Sequence, residues 1–397
     1  MNQKYSQSHF LFNIPTMIFF GCGEFHSLND HCKDMGAKVA IALDPYFLES
    51  EYNQLILEYL KDKSPVVFHD THPDPHVEDA DQLAKIIKDE KCDYIIAMGG
   101  GSTIDTSKAA AILATNEGVC WDYCYQAVDG KMLRPREVKN CPLPIIAIPT
   151  TAGSGSEATY FGLVTNYERK IKTNVLDRSI YPKVSIVDPE LTISLPQKQT
   201  AYTGIDVLVH ALETLICKKA NPASSMFALE AIRLVASALK RCVMNGADIE
   251  ARSMMALAST YGGISIAHDG GCIIHDIGVP LSALYNLNHG ASLAVCLSEV
   301  IRWTLPAATE QFAAVSRIFN PGLSGTTESK AAYALPDIFD EFLSDIGVTE
   351  TLTDFGLYEK DIENVVDYLD NYIAWNFVNH PKMASLEDVR LILRACL

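Results

Sequence analysis

From its N-terminus the chain first alternates short β-branched apolar runs with longer segments in which apolar positions recur every three or four residues. VAIAL (39–43), VVF (66–68), YIIAM (94–98) and IIAI (145–148) are strand-sized, and each leads into a turn cluster or an amphipathic stretch such as DADQLAKIIKDEKC. That rhythm predicts β-α-β-α order and hence a largely parallel sheet, because parallel neighbours need a helical crossover. VSIVDPE (184–190) reads as the last strand of this half. Beyond it the spacing turns helical in TGIDVLVHALETLIC, ASSMFALEAIRLVASALKRC and ARSMMALASTYGGISIA. No internal repeat or Gly/Ser linker intervenes. The expectation is an α/β domain over 1–192 packed directly on an all-α domain over 193–397, with chemistry in the cleft between them.

Three strand ends carry candidate chemistry. After YIIAM come Gly99, Gly100 and Gly101, then Ser102 as a natural cap for the next helix, with Asp105 close behind. Glycines let the backbone approach a diphosphate, and the N–H groups at a helix start supply donors and the positive end of its dipole. A plain tight turn has the same composition, so this loop alone does not decide. After IIAI, PTTAGSGSEAT offers Thr150, Thr151, Ser154 and Ser156 as hydroxyls for phosphate or ribose. Parallel strands end on one side of a sheet, where these loops would meet. VAIAL is followed by Asp44, whose carboxylate can accept from an adenosine ribose and repels a 2′-phosphate; NAD is expected over NADP, although Asp44 before Pro45 also suits a helix start.

The helical half holds the candidate metal ligands. Asp206 and His210, four apart in GIDVLVHALE, share one helix face and can bind one ion from two side chains. His275 in CIIHDIGVP and His289 in YNLNHGASLA would complete an Asp-His-His-His set suited to Fe2+ or Zn2+. Pro280 and the NHG turn lie between them, which places the two histidines on different elements. One carboxylate and three neutral imidazoles leave a divalent cation about one positive charge, enough to polarise a carbonyl or ease the loss of an alcohol proton. FHDTHPDPHVED brings together His69, His72 and His76, but its prolines and acids fit a β-α connection better than a metal loop. Cys272 and His275 form a C-x-x-H pair with no second pair to complete a zinc site.

Charge and cysteine usage narrow the class. With 32 basic and 49 acidic residues the net charge is −17, which repels phosphate backbones and anionic lipid, so neither nucleic acid nor membrane is expected as a partner. A chain of 397 residues, 48% hydrophobic and 20% charged, has ample core material and is not mainly disordered. Eleven cysteines without C-x-x-C pairs, and an N-terminus without a basic-then-apolar leader, make a cytoplasmic location the expectation. No apolar run approaches the roughly 20 residues that cross a bilayer.

In order and spacing, GGGSTIDTSK, IPTTAGSGSEAT, IVDPELTISLP, TGIDVLVHALE and LSALYNLNHGASLAV resemble the iron-containing, or group III, alcohol dehydrogenases, from about residue 10 to at least residue 300. LSALYNLNHGASLAV is similar to the butanol-dehydrogenase branch, GIDVLVHALE to the propanediol and lactaldehyde branch. The resemblance implies a dehydroquinate synthase-like architecture, with a Rossmann-like parallel-sheet domain ahead of an all-α metal domain. It also implies a homodimer or larger assembly, and NAD(P)-dependent hydride transfer between nicotinamide and a small alcohol or aldehyde. Carried over by position, Asp206, His210, His275 and His289 match the ligands and Gly99 to Ser102 the pyrophosphate loop. Thr150, Thr151 and Ser154 fall on cofactor-contacting positions, and Lys172 in RKIKTNV near the nicotinamide ribose. The family usually has a second histidine four residues after the third ligand; here that residue is Val279, so a proton would leave through water, a ribose hydroxyl or another group. Short aldehydes, diol-derived hydroxyaldehydes and two-carbon anionic aldehydes such as phosphonoacetaldehyde all remain open as substrates. The rival readings are an NAD- and zinc-dependent lyase or phosphate-sugar dehydrogenase of the related superfamily, or a non-catalytic metal- and nucleotide-binding scaffold. The lyase or sugar-phosphate reading would need a dense basic cluster, whereas near the candidate ligands the sequence shows Lys218 and Lys219.

Overall fold

Strand formation follows the apolar runs. In a computed structural model, which describes residues 9–128 and 131–397, these are β1 (Met17–Phe20), β2 (Val39–Leu43), β3 (Val66–Phe68), β4 (Tyr94–Gly99), β5 (Gln126–Val128), β6 (Lys131–Leu133), β7 (Ile145–Pro149), β8 (Phe161–Asn166), β9 (Ile171–Leu176) and β10 (Val184–Val187). Six of them form a sheet in the order β1-β10-β7-β4-β2-β3, and its pairings are parallel. β2, β4, β7 and β10 are buried along their whole length, as expected of strands covered on both faces. The chain runs outward from β2 to β3 and then returns to the other side of β2 as β4, so the sheet reverses direction between β2 and β4. Asp44 and the glycine run follow those two strands, at the place where open parallel sheets take ligands.

The chain divides into two units. One comprises residues 14–126 and 133–194; the other comprises 195–397 together with 9–13, 127–128 and 131–132. Helices α1 (Leu28–His31), α2 (Glu51–Tyr59), α3 (Val77–Glu90) and α4 (Gly101–Thr115) belong to the sheet unit. The sequence rhythm did not foresee β1 or the antiparallel β8–β9 hairpin, in which Thr165 pairs with Lys172. The hairpin turns within the charged run NYERKIKTN, where apolar alternation is short and easily read as loop.

The second unit is built on α5 (Gln197–Ile216), α6 (Pro222–Met244), α7 (Ile249–Asp269), α8 (Ile273–Tyr285) and α9 (His289–Thr304), with shorter helices following to Leu386–Ala395. α6 is long and apolar enough to cross a membrane by length and composition, against the expectation from sequence; it packs on α5 and α7 and carries Glu230, Arg233, Lys240 and Arg241. Two glycines bring neighbours close to α5. A Cβ on Gly204 would lie 2.2 Å from Leu239 Cδ1 of α6, and one on Gly290 would lie 2.2 Å from the carbonyl oxygen of Tyr202. The second contact presses the first turn of α9 against α5 one turn before Asp206, and so delivers His289 beside it. Pro280 lies inside α8; the break before His289 falls instead at Asn286, whose left-handed φ of 57° ends the helix.

Candidate metal centre and cofactor loops

From Thr200 to Ile216 every residue of α5 except the half-buried Thr203 is buried, and Asp206 and His210 share one face of that helix one turn apart. His275 stands in the first turn of α8, and His289 is the first residue of α9. The three imidazole Nε2 atoms of His210, His275 and His289 lie 3.4, 3.5 and 3.6 Å from a single oxygen, Asp206 Oδ1. That oxygen and His275 Nε2 are buried and take part in no hydrogen bond. Around a tetrahedral ion with bonds of about 2.1 Å, neighbouring ligand atoms are separated by about 3.4 Å, which the contacts of Asp206 Oδ1 match; Asp206, His210 and His275 have ligand atoms within 4.8 Å of one another, and His289 meets this group through Asp206.

Electrostatics point the same way. Burial favours a neutral carboxyl at Asp206, but the imidazoles of His210, His289 and His275 hold it well below the usual carboxylate range. Burial also opposes a charge on His275, and Glu213 and Asp206 together outweigh it, raising that imidazole to about 10. The four residues singled out in the sequence are therefore brought together, and their donor set suits iron or zinc.

Glu213 is a participant that sequence reasoning missed. Three residues after His210 on α5 and fully buried, it accepts hydrogen bonds from His275 Nδ1 at 2.7 Å and from the backbone N–H groups of Cys272 and Ile274 at 2.7 and 2.6 Å. The D-x3-H-x2-E spacing was visible, but its meaning depends on α8 coming alongside. Val279 lies one turn after His275 on α8 and is half-buried.

In the sheet unit the cofactor candidates also converge. A Cβ on Gly99 would lie 2.4 Å from Thr103 Oγ1 and 2.9 Å from Asp44 Cβ; one on Gly100 would lie 3.2 Å from Thr151 Cγ2, and one on Gly101 2.7 Å from Ser154 Oγ. The loops after β2, β4 and β7 thus form one cradle whose floor admits no side chain. Thr150 N–H donates to the Gly99 carbonyl at 3.0 Å. The cap of α4 is Gly100, with no side-chain hydrogen bond, so Ser102 lies inside the helix rather than capping it; extended backbone at Gly100 starts the helix two residues earlier than the sequence suggested. Asp44 Oδ1 accepts from Tyr46 N–H at 3.0 Å, as a helix-start residue would.

Asp105 and Ser156 bond to each other. Ser156 Oγ donates to Asp105 Oδ1 at 2.5 Å, and Lys108, wholly buried, donates to Ser156 Oγ, Thr159 Oγ1 and the Phe161 carbonyl at 2.7, 2.8 and 2.7 Å. This buried network ties α4 to the hydroxyl-rich loop. Lys172 Nζ, on β9, pairs with Asp74 Oδ1 at 2.5 Å.

Comparison with known proteins shows the family of the whole chain. Residues 15–189 match the family described as iron-containing alcohol dehydrogenase, and residues 200–397 match the C-terminal domain of the Fe-containing alcohol dehydrogenase family. The chain is 31% identical over 389 residues to the NAD-dependent methanol dehydrogenase of Bacillus methanolicus, covering 97% of this chain and 99% of that protein. A crystal structure of 1,3-propanediol oxidoreductase superposes with a TM-score of 0.90 at 30% identity, covering 98% of this chain and 100% of the other. The sulfoacetaldehyde reductase of Bifidobacterium kashiwanohense, solved in complex with NAD+, gives a TM-score of 0.84 at 30% identity, covering 98% and 99%. With both halves matched, the chain belongs to the iron-containing alcohol dehydrogenase family.

Proposed function

We propose that this alcohol dehydrogenase is metal-dependent, prefers NAD(H), and interconverts a short uncharged primary alcohol and its aldehyde. The carrying observation is the ring of three Nε2 atoms around Asp206 Oδ1. A divalent iron or zinc ion held by Asp206, His210, His275 and His289 would polarise the substrate oxygen, and a nicotinamide would give or take the hydride. Asp206 supplies the one negative charge among the four, and the histidines ligate as neutral imidazoles. Val279 offers an apolar surface one turn from His275, suited to an alkyl chain, and no proton-exchanging group.

Two of the relatives are named for methanol and 1,3-propanediol, which supports an uncharged substrate. The sulfoacetaldehyde reductase supports an anionic one, whereas Val279, one turn from His275, offers no charge to hold an anionic head group. Asp44 at the end of β2 supports NAD.

Oxidation of NADH and NADPH against propionaldehyde, butyraldehyde, 3-hydroxypropionaldehyde and phosphonoacetaldehyde tests this reading. The highest kcat/KM is expected for an uncharged aldehyde with NADH. Preference for phosphonoacetaldehyde would overturn the substrate class, and preference for NADPH the cofactor. Asp44→Ala should narrow the NADH:NADPH ratio by about tenfold, the equivalent of about 1.4 kcal/mol of lost ribose hydrogen bonding and relieved repulsion.

A further inference from the structure

Glu213 is a carboxylate with every hydrogen-bond partner drawn from the start of α8. Its Oε2 receives Cys272 N–H and His275 Nδ1, and its Oε1 receives Ile274 N–H. The backbone donors belong to the cap and first turn of α8, groups that no helical carbonyl can satisfy. The side chain of the cap residue Cys272 accepts no hydrogen bond from the first turn, so a residue of α5 does the capping from outside. The same carboxylate faces the ring of a candidate ligand. A carboxylate accepts and cannot donate, so the hydrogen in the His275 contact belongs to Nδ1, and Nε2, 3.5 Å from Asp206 Oδ1, is the nitrogen that would ligate a bound metal ion. His380 is the other imidazole that senses Glu213, but its Nε2 is engaged with Thr304 Oγ1 at 2.9 Å and burial lowers it to about 4.

We infer that Glu213 is a positioning residue for the metal centre: it fixes the tautomer and orientation of His275 and joins them to formation of the first turn of α8. The inference rests on reading the four-residue cluster as a metal centre. One side chain of α5 thereby holds two ligating helices in register, since Asp206 and His210 lie on the helix that carries Glu213. Glutamine cannot replace it. An amide has one oxygen, so either Ile274 N–H or the Cys272–His275 side meets an N–H2 group, and the negative charge that strengthens Nε2 as a metal ligand is lost.

The test is a titration of chelator-stripped wild type, Glu213→Gln, His275→Ala and the double variant with Co2+, followed by its visible absorption and by competition with a chelating dye. Glu213→Gln should weaken Co2+ binding by about 10- to 100-fold, the usual cost of removing a ligand's outer partner. In the His275→Ala background it should weaken binding no further, because its effect passes through that ring. Unchanged affinity in Glu213→Gln, or an equal loss with and without His275, would overturn the inference while leaving the metal centre intact. A wild-type protein that binds no Co2+, Fe2+ or Zn2+ would overturn the metal centre itself. If Glu213→Gln does not fold, 15N spectra of histidine-labelled, Zn2+-loaded wild type decide: a proton on His275 Nδ1 supports the inference, and one on Nε2 refutes it.

Discussion

Among the described residues, two clusters bring histidine nitrogens and a carboxylate within 4.8 Å of one another, His72, His76 and Asp79 at the start of α3, and Asp206, His210 and His275 in the helical unit. They differ in what the carboxylate already does. Asp79 Oδ2 accepts the backbone N–H groups of His72 and His76, both at 3.0 Å, and Oδ1 accepts His72 Nδ1 at 2.8 Å. It is a helix-capping acid, closed by its own loop. Asp206 Oδ1, by contrast, is buried with three ring nitrogens around it and accepts no hydrogen bond. Proximity is common to both; an oxygen that only a cation would complete is found in one.

The largest test of that difference is ligand removal. Asp206→Asn or His275→Ala should abolish tight iron or zinc retention, read as metal per chain by elemental analysis. Turnover should fall on the order of a thousandfold or more, because several kcal/mol of charge stabilisation goes with the ion. His72→Ala and His76→Ala should keep both. Metal retention that depended on His72 would reverse the comparison.

Next comes stability on metal binding. At a free-ion concentration of 100 times Kd, a cation that binds only the folded chain stabilises it by about 2.7 kcal/mol. A rise in thermal midpoint on adding Zn2+ is expected for wild type and for His72→Ala, and should vanish in Asp206→Asn. Asp79→Ala should do the opposite. It should lower stability by about 1–2 kcal/mol in urea denaturation, as loss of a capping acid does, with metal content unchanged.

How far the sequence reached can be seen at the same residues. β2, β3, β4, β7 and β10 were legible because buried parallel strands are short apolar runs, and the Asp206–His210 pair on α5 was legible because i, i+4 spacing is local. His289 was named from its motif and matched by resemblance, but no spacing ties it to α5; what brings it there physically is the approach of Gly290 to Tyr202. Glu213 was overlooked for the same reason, since its three donors all come from α8. Asp105 and Ser156 stood in motifs that suggested cofactor contact, yet the fold engages them with each other and with Lys108. A polar side chain in a glycine-rich motif can serve the loop's shape as readily as its ligand.

The smallest effect is the sharpest check on the first cluster. His72 is more than half exposed, with 56% of its side chain accessible, while Asp79 beside it is buried. Removing the ring in His72→Ala deletes one hydrogen bond to Asp79 and the stacking on His76, whose ring centroid lies 4.1 Å away. The two backbone donors to Asp79 Oδ2 remain, so the carboxylate is not left stranded. Because solvent screens the exposed partner, the cost should be less than about 1 kcal/mol in a urea titration. A loss of several kcal/mol would mean that the ring, rather than the backbone, holds this acid in place, and the two clusters would then be more alike than their hydrogen bonds indicate.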